Sequence, residues 1–558
     1  MMKTSTAQSN FNIGLHPLDE ASSFQYGTWD IEAKNWWELQ CIGCFDGKDY
    51  YHYTNVDGFL DHIMQRRYRN YRWFAHFGGR YDMNFIFDRL RKRYSNAQVE
   101  FYCSGSMVLR MKIKRSRNDI AYLCDSFRLL PAGLRALTIA FDVEHKKGEY
   151  DFENMEYGKE LLEYNEQDCR GLYEVLYSFF EQTGIRSETF ATHALRFWRK
   201  KYLKRSLWKP HENVSDFIRQ SLHGGHVEVF KRQSESLKAY DVNSMYPYVM
   251  QFPVPTDYVG ESTKLRDNLY GFVEAIVDVP EMYIPPLPLR MEKLFFPVGR
   301  MKGVWTSEEL LEAERRGVKI QKILRGHYFK CDEIFKDYVD ELYALKKNAG
   351  EPTRTIAKYL LNSLFGKFGQ HPEKKVFCTE REAPYGAFPI IDPNTGSPSG
   401  FAEYSRKSRS AYLLPHISAA ITSKARLVLL ANLDDNSYYC DTDSIFTDSV
   451  MATGNNLGEW GLVGEGSAMF IQPKLYKFRG VWKAKGLNRS QDIDAYITGD
   501  PNDVTRRISI KEALRKGIPA CSDLTIVKTM GNTRSKRAWL SNNQDTRPWD
   551  MKELLKKR

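Results

Sequence analysis

Tyr438-Tyr439-Cys440-Asp441-Thr442-Asp443-Ser444-Ile445-Phe446 sets two carboxylates one residue apart, between an aromatic run and an apolar pair. That pattern predicts a β-hairpin whose tight turn carries both acids. Acids favour turns in any protein, so a surface loop is the plain alternative. A distant partner argues for chemistry instead. The strand-like stretch 237–241 also ends on an acid, Asp241, and Asn243-Ser244-Met245-Tyr246-Pro247 follows almost at once. Acids from two strand ends that meet in space make a site for hard divalent metals.

A second set of acids occupies the first third. Tyr26-Gly27-Thr28-Trp29-Asp30-Ile31-Glu32 reads as a strand, which projects Asp30 and Glu32 from one face. His76-Phe77-Gly78-Gly79-Arg80-Tyr81-Asp82 puts an acid behind aromatics and two glycines, which let backbone approach a ligand or simply turn. Leu161-Leu162-Glu163-Tyr164-Asn165-Glu166-Gln167-Asp168 has helical spacing, with Tyr164 and Asp168 one turn apart on one face. Each pattern is common by itself. Together Asp30, Glu32, Asp82 and Asp168 carry about the negative charge that two divalent cations need, and such ions activate a water and stabilise a leaving oxygen. Tyr164 would orient the water.

Over residues 24–185 the chain resembles the 3′–5′ proofreading exonuclease domain of the DEDD class, in its tyrosine-bearing subtype, with the acids in that family's order. The resemblance implies an RNase H-like fold. It makes Asp30, Glu32, Asp82 and Asp168 the metal ligands, and Tyr164 and the acids the catalytic set. Tyr81 matches the aromatic before the second-motif acid. The family's usual Asn is replaced, with Gly78 and Phe77 at its places. Asp125-Ser126-Phe127-Arg128 resembles the strand-binding stretch, with Phe127 where Leu is usual, and implies a DNA contact at Ser126. Lys147 resembles an accessory lysine of this domain but reads first as a surface lysine.

The elements that must position the Asp241 and Asp441–Asp443 acids lie between and beyond them. A basic, helix-prone segment at 186–236 leads to Leu222-His223-Gly224-Gly225-His226, whose paired glycines suit a turn passing close to a phosphate strand. Residues 333–369 read as an antiparallel helix pair that breaks near Asn348-Ala349-Gly350. On the second helix Lys358, Asn362 and Phe365 share one face while Ile356, Leu360 and Leu364 form another. A cation, an amide and an aromatic on one face fit a nucleotide; an exposed lysine on an amphipathic helix is the plain alternative. A Pro/Gly-punctuated stretch at 371–410 and a helix at 415–433 deliver the chain to the hairpin. Lys474-Leu475-Tyr476 beyond it reads as a strand with Lys and Tyr on one face.

In this order, Asp241-Val242-Asn243-Ser244-Met245-Tyr246-Pro247, Lys358-x3-Asn362-Ser363-Leu364-Phe365-Gly366, Tyr439-Cys440-Asp441-Thr442-Asp443-Ser444 and Lys474-x-Tyr476 resemble the motifs of family B DNA polymerases. Phe365 stands where Tyr is usual, and Leu222 where the family's Tyr-x-Gly-Gly has Tyr. The resemblance implies an α/β plus α+β multidomain chain, an exonuclease domain followed by a right hand of palm, fingers and thumb. It divides the sequence into a tail at 1–23, the exonuclease domain at 24–185 and the polymerase domain at 186–558. Within the latter it places a palm insertion at about 255–332, fingers at 333–369, a second insertion at about 371–410, palm at 411–480 and thumb at about 481–558.

The same resemblance implies two Mg²⁺ per active site, with Mn²⁺ able to substitute, held by Asp241, the Val242 carbonyl and Asp443 with Asp441 supporting. Ser244, Met245, Tyr246, Lys358, Asn362 and Phe365 would bind the nucleotide, with Lys358 also catalytic at the departing phosphate. Gly224, Gly225, Tyr81, Ser126, Lys474 and Tyr476 would touch DNA. The partners implied are primer-template, dNTPs and, from similarity to the protein-primed branch of linear-genome phages and linear plasmids, a terminal priming protein. The alternatives are a polymerase that starts conventionally or without a primer, and a processing exonuclease whose C-terminal part only binds DNA.

Composition is consistent with this reading. At 558 residues the chain calls for two to four domains, and 42% hydrophobic with 27% charged residues is the balance of a folded protein. The net charge of +11 suits a polyanion. Over 524–558 stand nine basic residues, Lys528, Arg534, Lys536, Arg537, Arg547, Lys552, Lys556, Lys557 and Arg558, against three acids. They read as a solvated tail or, with Trp539 and Trp549 among them, as a nucleic-acid-facing module. Nine scattered cysteines give no disulfide framework, and Cys41 and Cys44 read as strand residues. Neither a signal peptide nor a membrane span is apparent, so the expectation is a soluble intracellular monomer, in the host cytoplasm if viral.

Overall fold

The computed structural model describes residues 13–19, 24–93, 98–116, 119–151, 156–531 and 535–556. Most of the expected tail, and Arg534, Lys557 and Arg558 of the basic set, lie outside them. Within the tail, Gly14–Leu15 is not loose. It pairs antiparallel with Leu207–Trp208 and buries Leu15.

Three sheets organise the chain. The first has ten strands; Gln25–Lys34, third from one edge, pairs parallel with Tyr71–Ala75 and antiparallel with Glu38–Phe45. Its alternating residues pack against the helices Val56–Ile63 and Asp82–Arg93 on one side and the 25-residue helix Lys159–Thr183 on the other. Cys41 and Cys44 are buried strand residues, as expected. The far end of this sheet is built by the second insertion. Glu373–Thr379 pairs with Gln98–Ser104, and Phe377 stacks on Phe101 at 5.1 Å. The insertion is thus an extension of the N-terminal domain's own sheet.

The second sheet runs in the order Val227–Val229, Ser437–Asp441, Ser444–Thr447, Gln233–Val242, Trp460–Gln472, Leu475–Phe478 and Val481–Ala484. It holds Asp241, Asp441 and Asp443, and Pro415–Leu430 packs behind it. The expected palm–thumb boundary at 480 falls inside the hairpin of Leu475–Phe478 with Val481–Ala484. The third, four-stranded sheet pairs Val254–Ser262, Lys319–Asp332, Tyr270–Val279 and Gly299–Thr306 within the first insertion. The helix pair appears as Lys336–Asn348 and Thr353–Ser363, where Ile356, Leu360 and Leu364 are buried and Lys358 and Asn362 exposed.

The basic C-terminal stretch is not simply a solvated tail, although Arg547, Lys552 and Lys556 are exposed. Ile510–Lys516 buries Ile510, Ala513 and Leu514 in the core of the N-terminal domain. Farther on, Met551 and Leu554 enter the core of the first insertion. Arg537 is fully buried. It donates to Thr546 Oγ1 at 2.9 Å and Tyr283 O at 2.8 Å and faces Glu228 at 3.4 Å. Among the described residues no helix is long and apolar enough to cross a membrane.

Candidate active sites

The palm site begins with a two-residue loop. Asp441 pairs with Ser444, and Thr442 takes φ +65 to close the hairpin. The Thr442 amide donates to His226 O at 2.8 Å, which ties the turn to the neighbouring strand. The Val242 amide donates to Asp443 O, also at 2.8 Å. Asp241 lies opposite Ser444, so the Asp241 and Asp443 carboxylates leave the same end of adjacent strands. Partial burial and then the charges of Asp443 and Asp441 push the Asp241 carboxyl up to about 6. Burial and Asp441 likewise raise Asp443. Two oxygen donors on adjacent strands, both held back from ionising by burial and nearby carboxylates, form a set that suits a hard divalent cation.

Asp441 is treated differently. Lys474 Nζ donates to both of its oxygens at 2.8 Å, and Tyr439 OH to Oδ2 at 3.1 Å. Lys474 therefore does not share a strand face with Tyr476. It sits in the turn before Leu475–Phe478, at φ +66, and its ammonium is committed to the hairpin. Tyr476 packs 5.3 Å from Tyr439 and 5.4 Å from Phe446, as part of the support under the hairpin. Gly225 has a similar internal task. A Cβ there would stand 2.6 Å from Thr442 Oγ1, so glycine makes room for the turn itself, whereas a Cβ at Gly224 meets nothing within 4 Å.

Across from the acids, the Tyr246 ring stacks on Phe365 at 4.3 Å and 21°. Met245 is buried, so only its backbone is left to face a ligand. Ser244, at φ +60, accepts a 2.7 Å bond from Lys346 Nζ. Burial and then the neighbouring Lys358 and Arg354 lower the Lys346 ammonium, which marks a cluster of three cations on the helix pair. Lys346 went unnoticed in the sequence because only the return of the first helix over Ser244 gives it meaning. Its one available signal was a place in the last turn of that helix, before the break.

The second site lies on the ten-stranded sheet. One oxygen each of Asp30, Glu32 and Asp168 falls within a 4.8 Å set. Burial and mutual repulsion raise Asp30 and Glu32, and burial raises Asp168 despite an adjacent lysine. Among the described residues Asp168 Oδ1 is buried and has no hydrogen-bond partner. A crowded carboxylate trio with an orphaned oxygen fits divalent cations. Asp82 stands beside the trio, at the start of its helix, where it accepts the Ile31 amide at 3.0 Å. Burial and then Asp30 raise its carboxyl.

Lys147 is not a surface lysine. It donates to Tyr164 OH at 2.7 Å and pairs with Asp168. Its loop is held on the long helix by the His145 amide, which donates to Glu174 Oε2 at 3.1 Å. Asn165, another residue that sequence reasoning passed over, accepts Tyr50 OH at 2.9 Å and points its amide at Asp30. Ser126 is turned inward. It is fully buried, donates to Ala75 O at 3.1 Å and lies 3.0 Å from His76 Nδ1, so its hydroxyl does not face a strand. Tyr81 remains at the edge of the site, half-buried beside Asp82. Phe77 and Phe127, both departures from the usual pattern, stack on each other at 3.9 Å.

Two groups of acids thus stand on separate sheets, Asp241 with Asp443 on one and Asp30, Glu32 and Asp168 on the other. The chain belongs to the family of DNA polymerases type B, organellar and viral, which matches it over residues 62–159 and 154–392. Family B polymerases generally use divalent metals. The chain is 27% identical over 500 residues to a probable DNA polymerase of Ascobolus immersus, covering 73% of this chain and 40% of that one. It is 25% identical over 428 residues to the DNA-directed DNA polymerase of Enterobacteria phage PRD1, covering 72% of each. The fold is that of phi29 DNA polymerase. The structure of that enzyme complexed with primer-template DNA and incoming nucleotides superposes with a TM-score of 0.71 at 17% identity, over 91% of this chain and 99% of that one. The chain spans less than half the length of the fungal relatives it matches.

Proposed function

We propose that this chain is a template-directed DNA polymerase with 3′–5′ proofreading exonuclease activity, which starts replication of a linear genome from a terminal protein and displaces the non-template strand. It works as a soluble intracellular monomer, in the host cytoplasm if its genome is viral. The observation that carries the reading is the pairing of Asp241 with the Asp443 turn, together with the Lys346 bond to Ser244, three residues beyond Asp241, and Lys358 beside that lysine.

Asp241, Asp443 and the Val242 carbonyl would hold Mg²⁺, or Mn²⁺ in its place, and the ions supply Lewis acidity at the α-phosphate and primer 3′-hydroxyl. Lys346 and Lys358 bind the triphosphate oxygens as charge develops on the departing pyrophosphate, and Arg354 adds to their field. The Tyr246 ring, held flat by Phe365, supports the incoming sugar and leaves no room for a 2′-hydroxyl. Asp441, already paired with Lys474, keeps the turn in place instead of supplying a second free charge. Lys474 can exchange that partner for primer phosphate.

At the other site Asp30, Glu32, Asp82 and Asp168 would hold the divalent ions for hydrolysis, while Lys147 fixes Tyr164 and Asp168 and the phenol orients the attacking water. Primer extension on nicked circular DNA, with and without a candidate terminal protein, tests the whole reading. Strand-displacing synthesis and covalent attachment of a nucleotide to a hydroxyl of the added protein are the expected results. Synthesis without any attachment would refute protein priming, and no synthesis at all would refute the polymerase reading.

A further inference from the structure

Beside the exonuclease centre stands a pair of large aromatic side chains that neither active site uses. Gln25–Lys34, the strand that carries Asp30 and Glu32, returns as Glu38–Phe45 through a three-residue loop. In that loop Asn35 takes φ +53 and Trp36 φ +69. A left-handed backbone is unfavourable for a residue as bulky as tryptophan. The conformation nevertheless leaves Trp36 and Trp37 66% and 62% exposed. Neither ring is placed there by packing into a core.

The loop is held from two sides. The Trp36 ring meets Tyr81 edge-on at 5.8 Å, and Tyr81 directly precedes Asp82. Arg507, from the C-terminal strand pair Asn502–Arg507 and Asp523–Lys528, donates to Trp36 O at 2.6 Å and lies 5.3 Å over the Tyr81 ring. The Arg507 side chain is only 12% exposed and faces Asp523 at 3.4 Å, so it serves as a brace rather than an open cation. The same C-terminal region is locked to the helix that Asp82 begins. Asn84 Nδ2 donates to Ala520 O at 2.7 Å, and Asp88 accepts the Ala520 and Cys521 amides at 2.7 and 2.9 Å.

We propose that Trp36, with Trp37 beside it, is a stacking platform for the bases of single-stranded DNA on its way to the Asp30–Glu32–Asp168 centre. The inference rests on the exonuclease reading of that centre. Exposed rings fixed next to a phosphodiester-cutting site suit unpaired bases, since every base presents a π-face whatever its sequence. Paired bases bury those faces and gain nothing from the platform. Arg507 is a positioning residue that keeps the strained loop beside Tyr81.

The test uses a fluorescein-labelled oligo(dT) 15-mer and the full chain carrying Asp30→Ala and Glu32→Ala, so that the DNA survives. In that background Trp36→Ala is expected to weaken binding of the 15-mer about tenfold, Trp36→Phe to keep most of it, and both to leave binding of a blunt duplex unchanged. With the acids intact, Trp36→Ala should raise KM for degradation of the 15-mer with kcat and dNTP incorporation unchanged. Unaltered 15-mer binding in the Trp36→Ala, Trp37→Ala double variant, or an equal loss of duplex binding, would overturn the platform. Failure of the unsubstituted chain to degrade the 15-mer would instead overturn the exonuclease reading.

Discussion

Replacing Asp30 by Asn should make the metal-free protein more stable, an unusual outcome for a residue of a proposed active site. Asp30, Glu32 and Asp168 offer oxygens within 4.8 Å of one another. At an effective dielectric of about 20, two unit charges at that spacing repel by roughly 3.5 kcal/mol. Asp168 is one such neighbour and Lys147 roughly offsets it, while Glu32, pushed up to about 10, keeps its proton at pH 8, so burial is the larger penalty on the Asp30 charge. Proton uptake already relieves part of the strain, which leaves a gain of about 2 kcal/mol at pH 8. For a domain of 150–250 residues that is a rise of about 4–8 °C in Tm.

The pH dependence follows from the sign of the shifts. Asp30 and Glu32 ionise at higher pH in the folded chain than in the unfolded one. The folded state therefore binds more protons, and its stability falls as pH rises from the ordinary carboxylate range through the raised values. The Asn variant should be ahead at pH 8 and level with wild type near pH 4. The assay is thermal denaturation in EDTA across that range, repeated with saturating Mg²⁺. Added Mg²⁺ should stabilise wild type more than the variant. A variant no more stable than wild type at pH 8 in EDTA, or stabilised equally by Mg²⁺, would refute this account of the Asp30 charge.

Other substitutions probe the palm. Asp241, raised to about 6, should lose its ionised form as pH falls through that value, so incorporation at limiting Mg²⁺ should decline below about pH 6 and recover when Mg²⁺ is increased. Lys474→Met removes the partner of Asp441; incorporation should fall severalfold through primer binding while single-strand degradation is unchanged, as measured by parallel KM and kcat determinations. Arg537→Met removes one of two partners of the buried Glu228 carboxylate, leaving His226 at 3.0 Å, and should cost about 1.5–3 kcal/mol in urea unfolding. Adding Glu228→Gln should restore much of that loss. Gly225→Ala drives a methyl into Thr442 and should depress incorporation more than it depresses stability, compared by primer extension and melting.

Local patterns made the acids legible. Alternation and strand-end position identified Asp241 and the hairpin, and helical spacing placed Tyr164 beside Asp168. What escaped were contacts between elements far apart in the chain. Lys147 looked like a surface lysine because Asp168 lies twenty-one residues on, and its role exists only once the 142–147 loop docks on the helix. Lys346 depends on the fold over Ser244, and Trp36 on Arg507, separated from it by 471 residues. The C-terminal stretch misled because charge density suggests solvent, whereas Arg537 finds Glu228 and Met551 and Leu554 find the first insertion's core. Ser126 matched a motif by position, yet its strand end turns the hydroxyl toward His76 and Ala75.

The central claim is that two independent acid centres do two different reactions. Asp443→Ala measured side by side for dNTP incorporation on a primed template and for Mg²⁺-dependent release of nucleotides from a single-stranded 3′ end tests it most directly. Incorporation should vanish, by roughly a thousandfold or more on the scale of a lost metal ligand and its transition-state charge stabilisation, while release continues at the wild-type rate. Retained incorporation, or loss of both activities in a variant that melts like wild type, would contradict it.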